Sequence, residues 1–221
     1  MKPIHLVLSG SRGRMGQEVT LLAHEDRRVI SICPIEDATL EKESRKRIVV
    51  DFTSPRGLVR AMEFCQKTGS PLVSGTTGFG PAARKKLESL ARRVPVLWAP
   101  NMSIGIAVMR KMISSFGELK NFDFQIEETH HRNKKDAPSG TALLLQQDLE
   151  TTLGRRVPRA LSIRGGGVAG DHTIWALGTE EVLRLEHRAL NRAVFARGAL
   201  VAAHWVGTQK PGLYTMSDVI G

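Results

Sequence analysis

The sequence is poor in cysteine, in aromatic residues and in long hydrophobic runs. Cys33 and Cys65 are the two cysteines among 221 residues, too few for a small secreted fold built on disulfides. Both lie in apolar segments, so we expect reduced thiols. No run approaches the roughly 18 apolar residues of a membrane span, and the N-terminus shows no signal-peptide pattern. We therefore expect a cytoplasmic chain without a membrane partner.

Acidic residues are also in the minority. Asp and Glu number 22 against 32 Lys and Arg, which gives a formal net charge of +10. The basic clusters are scattered, and no aromatic residues are interleaved with them to stack nucleic-acid bases. A general positive field favours small anions such as a dinucleotide or a dicarboxylate. We expect small-molecule ligands and no nucleic-acid partner, and the 41% hydrophobic content predicts a folded core.

The N-terminal segment has a strand, a glycine turn and a helix in succession. Residues 4–9 read as a buried strand, and the turn that follows is Gly10-Ser11-Arg12-Gly13-Arg14-Met15-Gly16. In a dinucleotide-binding turn, Gly10 permits the tight bend, Gly13 lets the backbone approach a pyrophosphate, and Gly16 lets helix and strand pack closely. The spacing is G-x-x-G-x-x-G rather than G-x-G-x-x-G, so a purely structural turn stays open as an alternative.

Short apolar runs after this turn predict a parallel sheet with strands over four further segments: 29–33, 48–52, 72–74 and 94–99. Glu36 and Asp37 follow the second strand, about 20 positions beyond the glycines, where a carboxylate binds a ribose hydroxyl. The second carboxylate, Asp37, would repel a 2′-phosphate and favours NADH over NADPH. Against that, Arg12 and the cluster at 45–47 could compensate for the repulsion.

The hydrophobic period changes in the second half of the chain. A core-facing helix is predicted over 104–119, with its apolar stripe at Ile104, Val108, Met112 and Phe116. Another helix carries Leu145, Leu149 and Leu153, and the last one runs from Phe195 to Val206. Between them, period-two runs predict strands over 160–164, 173–177 and 181–187. A parallel βα array followed by a separate turn-connected sheet predicts two domains.

The stretch 128–142 concentrates groups that carry protons or positive charge. We interpret it as a loop in which His130, His131 and Lys134 precede a helix start at Ser139 and Gly140. A hydroxyl cap and open backbone N–H groups suit an anion, which favours an anionic-substrate site with acid–base capability. A solvated basic loop that merely opens a helix is the alternative. Consecutive histidines do not readily share one metal ion, so we expect no metal.

The string His-His-x-x-Lys-x-Asp-Ala-Pro-Ser-Gly-Thr-Ala at 130–142 resembles the signature of the dihydrodipicolinate reductase family. The resemblance extends from Gly10 to about Val219 and includes Asp-Phe-Thr at 51–53 and Gly-Thr-Thr-Gly-Phe at 75–79. It implies an α/β fold: a Rossmann-type parallel-sheet nucleotide-binding domain and a smaller α+β substrate and oligomerisation domain with an open mixed sheet. The implied bounds are 1–102 plus 193–221 for the first domain and 103–192 for the second.

The same resemblance implies a reaction and roles for individual residues. The reaction is reduction of the cyclic dicarboxylate (hydroxy-)dihydrodipicolinate to tetrahydrodipicolinate by NADH or NADPH, in diaminopimelate and lysine biosynthesis. His130 and Lys134 are the implied proton donors, and His131, Gly140 and Thr141 bind substrate carboxylates. The resemblance also implies a homotetramer that forms through the second domain's sheet. The implied cofactor contacts are Gly10, Ser11, Arg12, Gly13, Arg14, Met15, Glu36, Gly75, Thr76, Thr77, Ala99, Pro100, Asn101 and Met102.

Some positions depart from the family pattern or leave alternatives open. Family members often have Phe at the position of Met102, whose thioether can still cover a nicotinamide ring. Asn101 suits either the cofactor or a helix cap. Glu128 is a candidate to orient His130, and Lys135, outside the motif, is expected to be solvated.

Other functions remain open as competing hypotheses. Another two-domain NAD(P) oxidoreductase, such as an aldehyde or sugar dehydrogenase, shares this pattern, although an aldehyde dehydrogenase needs a nucleophilic cysteine. Both cysteines lie in the nucleotide-binding half. A nucleotide sensor without catalysis would have no need of the His130 and Lys134 pair.

Overall fold

The computed structural model describes residues 3–40 and 47–221. Within these residues the strands are β1 (Ile4–Ser9), β2 (Val29–Pro34), β3 (Arg47–Asp51), β4 (Leu72–Ser74), β5 (Pro95–Trp98), β6 (Asp123–His130), β7 (Leu161–Arg164), β8 (Asp171–Leu177), β9 (Val182–Arg188) and β10 (Gly212–Tyr214). The α-helices are α1 (Arg14–Glu25), α2 (Pro55–Thr68), α3 (Pro81–Ala91), α4 (Ile104–Ile113), α5 (Gly140–Leu153), α6 (Ala193–Val206) and α7 (Met216–Ile220). Arg45 and Lys46, invoked above as possible compensation for Asp37, lie outside the described residues.

The chain divides into two compact units. The first unit comprises Met1–Ser103 and Phe195–Gly221, and the second unit comprises Ile104–Val194. The predicted second domain, 103–192, begins one residue earlier and ends two residues earlier than the second unit. None of the described helices is long and apolar enough to cross a membrane.

The first unit is built on a six-stranded sheet in the order β10-β5-β4-β3-β1-β2, with every neighbouring pair parallel. Strands β1 and β3 are buried along almost their whole length because helices cover a parallel sheet on both faces. The chain order reverses between β1 and β3, which is where open α/β sheets bind ligands at the carboxyl edge. The predicted Rossmann-type sheet is confirmed, and β10 adds a strand that the sequence pattern did not indicate.

Local signals in the sequence account for the helix boundaries. Helix α2 begins after Ser54, whose side chain accepts a hydrogen bond from the Gly57 backbone N–H, and Pro55 occupies its first turn. It ends at Gly69, whose φ of 73° is easily adopted without a side chain. Its buried face packs on β3 and β4 through a cluster that includes Leu58 and Phe64.

The second unit has a four-stranded mixed sheet in the order β7-β6-β8-β9. Strand β6 is parallel to β7 and antiparallel to β8, and β8 is antiparallel to β9. Helices α4 and α5 pack on one face of this sheet through a core that includes Phe124, Ile126 and Leu145. The predicted small α+β unit with an open mixed sheet is therefore confirmed.

The prediction for residues 104–119 was wrong in two respects. Helix α4 ends at Ile113 and a 3-10 turn continues from Ser114 to Glu118. The predicted apolar stripe also lies on the wrong face of the helix, since Val108 and Met112 are 42% and 50% exposed. The buried face carries Ile106, Ala107, Met109 and Ile113. In a helix that is apolar almost all round, spacing alone does not reveal which side packs on the sheet.

Candidate active site

The stretch predicted as a loop from Glu128 begins instead as strand. Strand β6 continues to His130, and the connection to α5 spans 131–139. The alternation that buries Phe124 and Ile126 therefore continues through Glu128 and His130, which are 1% and 8% exposed. Period two places these polar side chains on the face that the apolar ones occupy. A buried carboxylate and imidazole at the end of a core strand require partners.

Arg164, in the strand next to β6, is the cationic partner of Glu128. Its Nη2 donates to Glu128 Oε1 at 2.7 Å and its Nη1 donates to Glu128 Oε2 at 2.9 Å, a two-pronged ion pair. The same Oε2 contacts His130 Nδ1 in a short hydrogen bond. The backbone N–H of Ser139 donates to Oε1 at 3.2 Å. Both oxygens of the buried carboxylate are thus fully engaged.

This arrangement fixes the charge states of the pair. Burial alone would raise the pKa of Glu128, but hydrogen bonds from Arg164, Ser162 and His130 outweigh it and lower that pKa to about 2. Burial lowers the pKa of His130, against the hydrogen bond with Glu128, and the cations of Lys134 and Arg164 lower it further. At neutral pH the site therefore contains an ionised carboxylate and a neutral imidazole.

A second imidazole and a glycine complete the surroundings of His130. The ring of His172 lies edge-on to it with centroids 5.1 Å apart. Burial lowers the pKa of His172 to about 3, and the neighbouring His130 adds to this effect. Gly170 has a φ of 154°, and a Cβ built there would lie 2.9 Å from His130 Nε2. The lack of a side chain at residue 170 therefore leaves room at that ring nitrogen.

The loop after β6 carries the remaining predicted groups. Lys134 is partly buried, and its Nζ lies 2.8 Å from Asp136 Oδ1. Burial would raise the pKa of Asp136, yet the hydrogen bond from Lys134 outweighs it and lowers that pKa. His131 is half-buried and donates its backbone N–H to Val168 O at 2.8 Å, whereas Lys135 is exposed as predicted.

The predicted start of α5 is confirmed. Ser139 is its N-cap, and its hydroxyl accepts from the Ala142 backbone N–H at 3.2 Å. The same hydroxyl lies 3.2 Å from His172 Nε2. Gly140, which is exposed, and Thr141, which is buried, form the first turn beside this cap. The helix start and the buried His172 thus share one hydroxyl.

The glycine turn of the first unit has the geometry predicted for it. Gly10 has a φ of 87°, and its carbonyl accepts from the Gly13 N–H at 2.9 Å. Gly13 is the N-cap of α1 and makes no side-chain capping hydrogen bond. A Cβ at Gly16 would lie 2.1 Å from Gly10 O, so the close packing requires glycine. Ser11 is half-buried and Arg12 is exposed on this turn, and exposed Arg14 and then Met15 begin α1.

The other predicted cofactor residues follow the carboxyl ends of neighbouring parallel strands. Glu36 and Asp37 are exposed in the 3-10 turn after β2, the run from Gly75 to Thr77 follows β4, and 99–102 follows β5. Asn101 Oδ1 accepts from the Ser103 N–H at 2.8 Å. Ser103 precedes α4, so both the cofactor and the capping roles of Asn101 stay predictions. Met102 is 1% exposed, and its contact with a nicotinamide ring stays a prediction.

Asp51 is a buried carboxylate at the same edge of this sheet, and the sequence reasoning gave it no role. It is fully buried at the end of β3. Its Oδ1 accepts from Thr53 Oγ1 at 2.6 Å, and its Oδ2 accepts from Ser74 Oγ at 2.8 Å and Thr76 Oγ1 at 2.7 Å. Thr76 Oγ1 also accepts from the Thr53 N–H at 3.0 Å. Asp51 thereby ties together the turns after β3 and β4.

Arg164 and His172 were also missed as functional residues, although both were noted in the sequence near a turn. Their role depends on pairing across β7, β6 and β8, which the sequence does not display. Among the described residues, no group of His, Cys, Asp or Glu is arranged to hold a metal ion. Cys65 is fully buried and burial raises the pKa of its thiol, which is unsuited to a nucleophile.

Together, a Rossmann-type sheet with a glycine turn and a separate mixed sheet bearing a buried acid–base cluster define a two-domain chain of the oxidoreductase class. The models for the N-terminus and the C-terminus of dihydrodipicolinate reductase match residues 33–102 and 105–220. The chain belongs to the dihydrodipicolinate reductase family, and it is a reductase.

Individual relatives agree along the whole chain. The 4-hydroxy-tetrahydrodipicolinate reductase of Bdellovibrio bacteriovorus is 45% identical over 223 residues, covering 100% of this chain and 97% of its own. That of Stenotrophomonas maltophilia is 36% identical, covering 99% and 98%. The solved dihydrodipicolinate reductase of Paenisporosarcina sp. TG-14, bound to dipicolinate, has a TM-score of 0.78 at 22% identity, over 98% of this chain and 99% of its own. At that identity the likeness shows the shared fold.

Proposed function

We propose that the chain reduces (hydroxy-)dihydrodipicolinate to tetrahydrodipicolinate with NADH or NADPH, in diaminopimelate and lysine biosynthesis. The observation that carries this proposal is the buried Glu128–His130 pair, with Lys134 on the loop that follows it. His130 and Lys134 lie in the run at 130–142 by which the chain resembles the family. The names of the full-length relatives support the same reaction.

His130 and Lys134 are the proposed proton donors. Reduction of a conjugated cyclic imine requires a hydride and a proton, and a bound reduced pyridine nucleotide supplies the hydride. The proton must come from a group beside the substrate. Lys134, whose position is fixed by Asp136, is an amine that can give a proton. His130 is a neutral imidazole whose Nδ1 is engaged by Glu128, so its Nε2 takes up a proton from solvent before it can donate one to the substrate.

His131, Gly140 and Thr141 are the proposed binders of the substrate carboxylates. Helix α5 contributes the positive end of its dipole and the backbone N–H groups of its first turn. Lys134 and His131 add cationic or hydrogen-bonding groups on the preceding loop. A related solved reductase binds dipicolinate, which is a planar dicarboxylate, and this supports the same ligand class here.

The first unit is the proposed site of the pyridine nucleotide. The turn around Gly10 and Gly13 suits a pyrophosphate, because it follows β1 and leads directly into α1, and Gly13 at the N-cap makes no side-chain capping hydrogen bond there. Glu36 suits the adenosine ribose, and the residues after β4 and β5 suit the nicotinamide half. Asp37, exposed beside Glu36, favours NADH. Asp37→Arg should shift the ratio of kcat/KM values toward NADPH by about tenfold, since a repulsive carboxylate becomes a 2′-phosphate partner.

We also propose a cytoplasmic homotetramer assembled through the open face of the second sheet. That face exposes a set of large apolar side chains: Leu161, Ile163, Leu177 and Val182, between 39% and 55% exposed. A second copy of the chain would cover them, as exposed large apolar side chains favour association. Light scattering should give four times the 24.3 kDa chain mass, and Ile163→Asp should shift the protein to smaller species.

The decisive experiment is cofactor oxidation with substrate generated in situ from pyruvate and aspartate semialdehyde by the enzyme that precedes this step. Turnover with NADH, NADPH or both is expected. Binding of the nucleotides without turnover would replace the proposal with a sensor function. Binding of neither nucleotide would overturn the assignment of the glycine turn.

A further inference from the structure

We propose that Glu128 and Arg164 are positioning residues that hold His130 as the Nδ1-protonated tautomer, so that Nε2 is the atom presented to the substrate. This inference rests on the proposed function, since it deepens the role of His130 in proton transfer.

Strand β6 brings the acid and the imidazole together by its period. Glu128 and His130 are two residues apart and therefore project from the same face. Glu128 is 1% exposed, so no bulk solvent competes for the hydrogen bond to Nδ1. An ionised carboxylate only accepts hydrogen bonds, and so the proton of this contact resides on Nδ1.

Arg164 keeps the carboxylate ionised and stops it from rotating. Its guanidinium fork engages both oxygens of Glu128, and Ser139 N–H engages Oε1 as well. The Arg164 side chain is itself fixed, since Nη2 also donates to Asp136 O at 2.6 Å and Nη1 donates to Ile163 O at 2.7 Å. A planar two-pronged pair of this kind fixes geometry as well as charge.

The contact with Asp136 extends this control to the other proposed proton donor. Asp136 forms the ion pair with Lys134, while its carbonyl accepts from Arg164. The guanidinium of Arg164 thus holds both the carboxylate of Glu128 and the backbone of Asp136. The two donors, four residues apart in sequence, share a single rigid support.

The far side of the imidazole is kept open. Within the described residues, His130 Nε2 has no hydrogen-bond partner, and Gly170 places no side chain over it. The groups that face the ring are Glu128, Arg164, Lys134 and the edge of His172. Burial keeps His172 neutral, so it adds no second positive charge beside the ring. Nε2 is therefore the ring nitrogen available to a ligand.

A purely structural ion pair would make a different prediction. Glu128 and Arg164 would then stabilise the sheet, and their loss would lower stability without altering the tautomer of His130 or the pH profile of turnover. If the pair positions His130, its loss also changes the tautomer of that ring and the pH profile of turnover. The experiment therefore needs a readout that follows the imidazole itself.

The first arm is nitrogen NMR of the wild-type protein with labelled histidine, in which the His130 signals are assigned by their loss in His130→Gln. Long-range couplings distinguish a protonated Nδ1 from a protonated Nε2 at neutral pH. The expected result is a single Nδ1-protonated tautomer. An Nε2-protonated ring would overturn the proposal. This arm requires no turnover, so it decides the inference even if the proposed reaction is not found.

The second arm compares Glu128→Gln with Glu127→Gln, the neighbouring acid on the opposite face of β6. Glu128→Gln should lower kcat about a hundredfold, less than the roughly 10⁴-fold for losing the orienting acid of a Ser-His-Asp triad. It should also give mixed His130 tautomers and a shifted pH profile, with cofactor KM unchanged. Glu127→Gln should stay within about twofold of wild type, as expected for a partly exposed group away from the site.

Glu128→Gln leaves Arg164 without its counter-charge and can fail to fold, so Arg164→Lys provides a second test. Lysine keeps the positive charge but loses the planar fork. About a tenfold loss of kcat with loss of the single tautomer is expected in a protein that still melts cooperatively. A folded Glu128→Gln or Arg164→Lys with wild-type kcat, tautomer and pH profile would overturn the positioning role.

Discussion

Each unit buries a carboxylate at the end of a core strand, and the two are stabilised in different ways. Asp51 at the end of β3 accepts hydrogen bonds from three hydroxyls. Glu128 in β6 is enclosed by a guanidinium, an imidazole and a backbone N–H. The first set of partners is neutral, whereas the second contains a cation and an imidazole, a side chain that can both accept and donate a proton.

The difference matches two roles: Asp51 holds two turns together, whereas the Glu128 cluster belongs to the proposed proton transfer. Hydroxyls donated by Thr53, Ser74 and Thr76 bind two turns to one carboxylate and offer no group that changes charge near pH 7. In the second unit, Glu128 balances the charge of Arg164. Its contact with His130 uses Nδ1 and leaves Nε2 of that ring available. We infer that changes in the first unit alter cofactor affinity, and changes in the second unit alter turnover.

The largest expected effect on turnover comes from Lys134→Ala in the second unit. A positioned proton donor contributes about 10²–10⁴-fold to the rate, and kcat should fall by that range. The cofactor dissociation constant should not change, because Lys134 lies outside the first unit. Lys135→Ala, which removes an exposed neighbouring cation, is the control. Steady-state kinetics and nucleotide titration check both, and intact turnover in Lys134→Ala would remove its assignment as donor.

The ion pair itself is broken by Arg164→Met. Loss of one partner leaves Glu128 buried and uncompensated, and such changes cost about 3–5 kcal/mol. Arg188→Met on β9 is the matched control, since Arg188 is 60% exposed and its pair with Asp171 should contribute under about 1 kcal/mol. Calorimetric melting of both variants tests the contrast. Equal melting temperatures would show that the buried fork adds nothing beyond a surface pair.

The corresponding change in the first unit is Asp51→Asn. The amide oxygen still accepts, but its NH₂ group faces the hydroxyls, and we expect a loss of about 1–3 kcal/mol for the disturbed buried bonds. Because the turns after β3 and β4 loosen, the KM for the nucleotide should rise while kcat changes little. Asp123→Asn, an exposed aspartate, is the control. A fall in kcat without any change in KM would contradict the division between the units.

The last effect concerns stability in acid. The pKa of His172 is lowered from 6.5 to about 3, so the unfolded chain binds a proton that the folded one does not. This contribution is complete above pH 6.5 and is lost as the pH falls from 6.5 toward 3, at up to about 1.4 kcal/mol per pH unit. Glu128 acts in the same direction at lower pH, from 4.5 toward 2. His172→Gln should flatten the fall in melting temperature between pH 6.5 and 5, and exposed His24→Gln should not.

Local patterns were sufficient for much of the fold. The strand, glycine turn and helix at the N-terminus were predictable because Gly10 and Gly16 act within one βα unit. The Ser139 cap was predictable for the same reason. The end of β6 was not, because polar residues at Glu128 and His130 interrupt an apolar alternation and read as loop. The pairing of these residues with β7 and β8 shows that the strand continues.

The candidate site was predictable as a set of residue types but not as a network. The run containing His130 and Lys134 is contiguous and visible in the sequence. Arg164 and His172 come from β7 and β8, and strand pairing brings them to β6. Asp51 likewise meets Ser74 and Thr76 only because β3 and β4 are neighbours. Such partners depend on tertiary register, which a single sequence does not display.

The most direct test of the central claim follows the hydride and the proton separately. The reaction is run first with a nicotinamide cofactor deuterated at its transferable position, and then with unlabelled cofactor in heavy water. The mass of the product is measured by mass spectrometry in each case. Tetrahydrodipicolinate carrying one deuterium from the cofactor, with the balancing proton taken from solvent-exchangeable groups, is the predicted result. Product without cofactor deuterium, or no product with either nucleotide, would contradict reduction by this chain.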